Sequence, residues 1–159
     1  MGEAFRHVAA GRSALSGEGA RIVGGRWNPP RSFPVLYLAL SREAVVGEFY
    51  RLARRQRLAP ESFLPRTFYT YELELGAVLD LREESDRAVV GLENRDLSAD
   101  NLAPCQAVGE AAFACNREGI IVPGATGHGL VIAVFIGRLR PGSYARDVAA
   151  ELWEHLPQV

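Results

Sequence analysis

Glu48 is the first residue of this chain whose type and position call for an explanation. Val45, Phe49 and Leu52 recur at the spacing of a buried helical stripe, and Glu48 leaves the helix at the edge of that stripe. A carboxylate there must be paired, hydrated in a cleft or shifted in pKa, which fits a structural salt bridge as well as a functional site. Arg26 is similar: it stands between Gly24-Gly25 and Trp27, in a segment too rich in turns to be a plain solvated face. Tyr37 lies within the apolar run Val35–Ala39, where its hydroxyl needs a partner, and taken alone it reads as a core tyrosine. Two glycine-rich loops, Gly24-Gly25-Arg26 and Gly124 to Gly129, offer either close backbone approach to a ligand or ordinary turns. Neither is a dinucleotide fingerprint or a P-loop, because the second runs into the expected strand Leu130–Ile136 rather than into a helix.

The elements that would position these residues follow from the pattern. Residues 11 to 34 hold five glycines and three prolines and read as turns, with Arg21-Ile22-Val23 as a short strand. Val35–Ala39, short and nearly all apolar, is a strand of a sheet covered on both faces. Ser41 is the expected N-cap of a helix from about Arg42 to Arg57, with Glu43 in its first turn. Arg51, Arg54, Arg55 and Arg57 crowd its end; they read first as complements of the helix dipole and second as a phosphate-binding patch. Thr67–Leu75 alternates as a half-exposed strand that Val78–Leu81 continues after a Gly76 turn. Residues 82–103 are polar and irregular. Cys105–Arg117 reads as a helix, Ile120-Ile121-Val122 as a buried strand, and Asp147–Leu156 as a closing helix with Ala150 and Trp153 inward. Strands and helices mix without a strict βαβ rhythm, so the expected class is α+β, a single domain over residues 1–159.

Composition excludes several kinds of function. The chain has 159 residues and a formal net charge of −1, which argues against a phosphate-tracking nucleic-acid binder. No run approaches the roughly 18–20 apolar residues that cross a bilayer, and the N-terminus lacks an apolar signal core, so a cytoplasmic protein without a membrane partner is expected. All 18 basic residues are arginine, which removes any lysine Schiff base or P-loop lysine. Cys105 and Cys115 read as buried free thiols, and His7, His128 and His155 form no pair at zinc spacing, so no metal site is expected.

The order of the motifs adds more than any one of them. Phe5-Arg6 near the start is followed by Gly19-Ala20, Gly24-Gly25-Arg26-Trp27-Asn28-Pro29, Val35–Ala39 and Ala44 to Glu48. Tyr71–Leu75, Cys105-Gln106-Ala107-Val108-Gly109 and Gly119–Pro123 come after them. Across essentially the whole chain this series resembles the RES domain, a family of bacterial toxins paired with Xre-type antitoxins. The resemblance implies a compact α+β domain similar to ADP-ribosyltransferases, with a mixed or antiparallel sheet and flanking helices. It implies NAD+ as substrate, with no prosthetic group.

The roles it implies suit the residues. Glu48 would stabilise the oxocarbenium-like centre formed when the nicotinamide–ribose bond breaks, or orient the attacking nucleophile. Arg26 would pair with the diphosphate, Tyr37 would meet the nicotinamide riboside, and Arg6 would add a phosphate or ribose contact. The serine for which the family is named, with an arginine and a glutamate, is expected after the proline of the late strand, where this chain has Pro123-Gly124-Ala125, so Gly124 and Thr126 are the candidates for that contact. Water, phosphate or a protein could be the acceptor. A homodimer within a toxin–antitoxin complex is also implied. The alternative is a RES-like domain impaired by Gly124 that only binds a nucleotide or a protein partner.

Overall fold

The computed structural model describes residues 2–158. Its elements run β1 (Gly2–Ala9), α1 (Glu18–Val23), β2 (Leu36–Ala39), α2 (Arg42–Gln56), β3 (Arg66–Glu74), β4 (Val78–Asp80), α3 (Glu84–Val89), α4 (Ala103–Ala114), β5 (Gly119–Pro123), β6 (Leu130–Val134) and β7 (Tyr144–Trp153). The strands form one mixed sheet in the order β4-β5-β6-β2-β1-β3-β7, with β4 and β5 parallel and the other pairs antiparallel. The α+β expectation is met.

Helix α2 forms as its sequence directs. The Ser41 hydroxyl accepts a hydrogen bond from the Ala44 N–H at 3.2 Å, and Ala44, Val45, Val46, Phe49 and Ala53 are buried. That face covers Ala39, Phe68 and Trp153. Strand β2 is packed on both sides: Leu36 and Leu38 join Tyr71, Leu73, Ile132 and Val134, while Tyr37 packs against the cluster of Trp27, Ala133 and Phe135.

Several expectations are corrected. Arg21-Ile22-Val23 is helical: α1 starts after Gly17, which takes a left-handed conformation, and an Arg21–Glu18 pair at 2.7 Å links residues three apart. Val78–Asp80 does not continue β3 but lies at the opposite edge of the sheet. The chain is diverted by Glu118, whose buried carboxylate accepts the Gly76 and Ala77 N–H groups, both at 2.9 Å. Asp147–Leu156 is not a helix: β7 pairs along all of β3, Arg146 binds Glu72 across the strands at 2.8 Å, and Trp153 is buried while Ala150 is exposed. Cys105 is buried, but Cys115, just past the end of α4, is exposed. The 82–103 stretch contains α3 and a short 3-10 turn, Asn94–Leu97.

Among the described residues no helix is long and apolar enough to cross a membrane, and no group of three His, Cys, Asp or Glu side chains comes together as a metal site.

Candidate active site

The sheet is weakly joined at its centre. Strand β1 pairs with β3 from Gly2 opposite Leu73 to Ala9 opposite Arg66, and β2 pairs with β6 along its length. Between β1 and β2, the described residues share a single register position, Phe5 opposite Ala39. A cavity of about 590 Å³ opens at this split, within the size range of small-molecule and cofactor sites. Its walls are β1 (Phe5, Arg6, His7), β2 (Tyr37, Leu38, Ala39), the Gly24–Trp27 loop, the α2 face (Val45, Glu48, Arg51, Arg55) and the β5–β6 turn (Val122 to Ala125). Glu48, Arg26, Tyr37, Arg6 and Gly124, separated by up to 118 positions in sequence, therefore meet in one pocket.

The 24–28 loop is held from all sides. Asn28 is fully buried and its side-chain amide donates to the Ala20 carbonyl at 2.7 Å. The Tyr37 hydroxyl donates to Asn28 Oδ1 at 2.6 Å and accepts the Trp27 N–H at 3.0 Å. Burial pushes the Tyr37 pKa well above the usual phenol range, so the phenol stays neutral. From the other side α4 clamps the loop. Gln106 Nε2 donates to the Gly25 carbonyl at 2.9 Å, and a Cβ on Gly109 would lie 1.7 Å from the Trp27 carbonyl oxygen. Only glycine lets α4 approach so closely. The Cys-Gln-Ala-Val-Gly motif is thus the dock for the Arg26 loop.

Arg26 is tethered too. Its Nη1 donates to the carbonyls of Asp96 and Ala99, each at 3.0 Å, which ties the end of the 82–103 stretch to the pocket. The buried Cys105 thiol donates to the same Asp96 carbonyl at 3.4 Å, and burial raises its pKa despite the neighbouring Arg26 guanidinium. Glu48 is about one-third exposed in the cavity wall, with Arg51 Nη1 at 3.8 Å from its Oε2. That separation is an ion pair without short hydrogen bonds, so the carboxylate oxygens keep acceptor capacity.

His7 also lines the cavity, held by Arg66, which is not itself among the lining residues. Arg66 donates to His7 Nδ1 from Nε at 3.2 Å and Nη2 at 2.9 Å. An arginine can only donate, so Nδ1 is an acceptor and a neutral ring carries its proton on Nε2. Burial, followed by Arg66 and Arg6, lowers the His7 pKa to about 3. The only hint in the sequence is the adjacency of His7 to Arg6 on a strand that the turn-rich opening third obscured.

Gly124 is in the wall, where a Cβ would meet the His128 carbonyl oxygen at 3.3 Å and Val131 Cγ2 at 3.4 Å. Thr126 is not among the lining residues. Its hydroxyl closes its own turn, accepting the His128 N–H at 3.2 Å.

Fold and site together define an α+β protein with a split mixed sheet and an arginine-rich cleft containing one carboxylate. The chain belongs to the RES domain family, whose model matches residues 3–154. Among similar proteins are the NAD(+) phosphorylases MbcT of Mycobacterium bovis and Mycobacterium tuberculosis. Each is 44% identical over 156 residues, spanning 97% of this chain and 84% of the relative. The crystal structure of the M. tuberculosis MbcT–MbcA toxin–antitoxin complex contains a chain that superposes with a TM-score of 0.86 at 41% identity, covering 95% of this chain and 83% of that one.

Proposed function

We propose that this protein is the NAD+-consuming toxin of a toxin–antitoxin pair, cleaving the nicotinamide–ribose bond and restrained by an Xre-type antitoxin that blocks the cleft. The observation that carries this reading is the convergence of Glu48, Arg26, Arg6 and Tyr37 on one cavity at the split of the sheet. The similarity to enzymes named NAD(+) phosphorylases and to a toxin–antitoxin complex supports it. Residence in the cytoplasm belongs to the same reading.

The chemistry follows from charge. As nicotinamide leaves, the ribose carbon becomes cationic, and the Glu48 carboxylate stabilises that centre. The guanidinium groups of Arg26 and Arg6 hold the diphosphate, Arg26 through the donors not committed to Asp96 and Ala99. The Tyr37 hydroxyl is already committed to Asn28 and Trp27, so it is the ring that faces the ligand. The names of the relatives favour inorganic phosphate as the acceptor.

The test is chromatographic detection of nicotinamide after incubating antitoxin-free protein with NAD+ and phosphate, beside Glu48→Ala. Release by the native chain and not by the variant supports the assignment; no release by the native chain refutes it. A second reading, a binding domain without catalysis, rests on Gly124, which leaves the wall without a hydroxyl. Calorimetric NAD+ binding without nicotinamide release would favour it.

A further inference from the structure

The cavity carries more positive charge than one dinucleotide uses. Among the described residues four arginines, Arg6, Arg26, Arg51 and Arg55, line it against the single carboxylate of Glu48. NAD+ brings two phosphate charges and one pyridinium charge of opposite sign, and in the function proposed above Arg26 and Arg6 answer the diphosphate.

Arg51 and Arg55 are set apart from that pair. They lie one turn from each other on α2, on the face that carries Glu48 one turn earlier, so all three project into the cavity from one rigid element. Among the described residues Arg51 has only the 3.8 Å approach to Glu48, and no carboxylate pairs with Arg55. Arg51 is the more buried and Arg55 the more exposed, which makes a cationic path from solvent towards the carboxylate. The C-terminal end of α2 would by itself repel an anion, but two full guanidinium charges outweigh the roughly half charge of a helix terminus.

We infer that Arg51 and Arg55 form a separate subsite for the inorganic phosphate acceptor. This rests on the reading of the cavity as an NAD+-cleaving site. Two guanidinium forks one turn apart suit a tetrahedral oxyanion, and Arg51 beside Glu48 offsets the repulsion between an incoming phosphate and that carboxylate. In the step itself, the C–N bond to nicotinamide breaks and its electron pair leaves with neutral nicotinamide. A lone pair on a phosphate dianion oxygen forms the new C–O bond, giving ADP-ribose 1-phosphate of the cleaved ribose. No proton has to be removed from this nucleophile, in contrast to water, so the step needs no general base and Glu48 keeps its role at the cationic ribose carbon.

The experiment uses the full chain free of antitoxin. Nicotinamide release is measured while phosphate is varied at saturating NAD+ and NAD+ is varied at saturating phosphate, with phosphorus NMR to separate ADP-ribose 1-phosphate from ADP-ribose. Arg51→Gln and Arg55→Gln are compared with Arg54→Gln, an exposed neighbour outside the cavity that loses the same charge from the helix end. Melting curves confirm that each variant folds. For Arg51→Gln the KM for phosphate is expected to rise about tenfold to a hundredfold, the loss of a charge-assisted contact, with the KM for NAD+ little changed. Arg55→Gln should show a smaller rise in the same constant, and Arg54→Gln none. ADP-ribose should become a larger share of the product in Arg51→Gln. A rise in the KM for NAD+ alone would overturn the assignment and place these arginines on the dinucleotide. Phosphate-independent release yielding ADP-ribose from the native chain would overturn it while leaving NAD+ cleavage intact. No release at all would remove both.

Discussion

The Tyr37 hydroxyl lies 2.6 Å from Asn28 Oδ1 and 3.0 Å from the Trp27 backbone nitrogen, which fixes the loop carrying Arg26 to the central strand. Tyr37→Phe keeps the ring in the cavity but leaves two buried polar groups without their partner. Stability should fall by about 1–3 kcal/mol in urea unfolding. The kcat for nicotinamide release should change by less than about tenfold, below the hundredfold or more expected for a lost proton-transfer group. A catalytic hydroxyl would reverse the pattern, with intact stability and collapsed turnover.

His7 gives the pH dependence. Its folded pKa is lowered to about 3 from an ordinary 6.5, so between those values the unfolded chain binds a proton that the native chain refuses. The contribution of His7 is complete above about pH 6.5 and is lost as pH falls towards 3, by up to about 1.4 kcal/mol per pH unit. Carbon NMR of the His7 ring should report a neutral imidazole down to pH 4, and urea midpoints should fall from pH 7 to pH 5. A ring that protonates near 6.5 would show that the Arg66 fork does not hold it.

Gly124 separates the two readings of the site. A serine there would place its Cβ 3.3 Å from the His128 carbonyl oxygen, a tight fit at the edge of the β5–β6 turn. Carbonyl oxygens of His128 and Gly129 surround the position, so the new hydroxyl finds an acceptor in the turn itself. Gly124→Ser should fold with a modest loss of stability and leave nicotinamide release within about twofold of the native chain, since the hydroxyl adds no group that moves a proton in the reaction. A large gain would identify a missing contact and favour the impaired domain.

The residues of the pocket were more legible than the sheet that builds it. Glu48 could be placed because helix periodicity set it beside Val45 and Phe49, and Ser41 marked where that helix starts. The order of the glycine, arginine, tyrosine and glutamate motifs carried the family resemblance, and with it the fold class. Strand pairing was not local information. Residues 149–152, Ala-Ala-Glu-Leu, favour a helix by intrinsic propensity, yet they lie in β7 because β3 offers a full ladder and Glu72 receives Arg146. The departure of β4 to the far edge depends on Glu118, 42 residues after Gly76. Arg51 and Arg55 looked alike as a solvated helix end with Arg54 and Arg57. Only the cavity distinguishes the pair that lines it from the pair that does not.

The central claim is that Glu48 stabilises the cationic ribose carbon in an NAD+ cleavage site, and Glu48→Gln tests it most directly. The substitution keeps the shape of the side chain and removes its charge. Measured against the native chain with NAD+ and phosphate, nicotinamide release should fall about a hundredfold or more, as for other removed electrostatic stabilisers, while calorimetry still detects NAD+ binding. Release at the native rate from Glu48→Gln would contradict the claim.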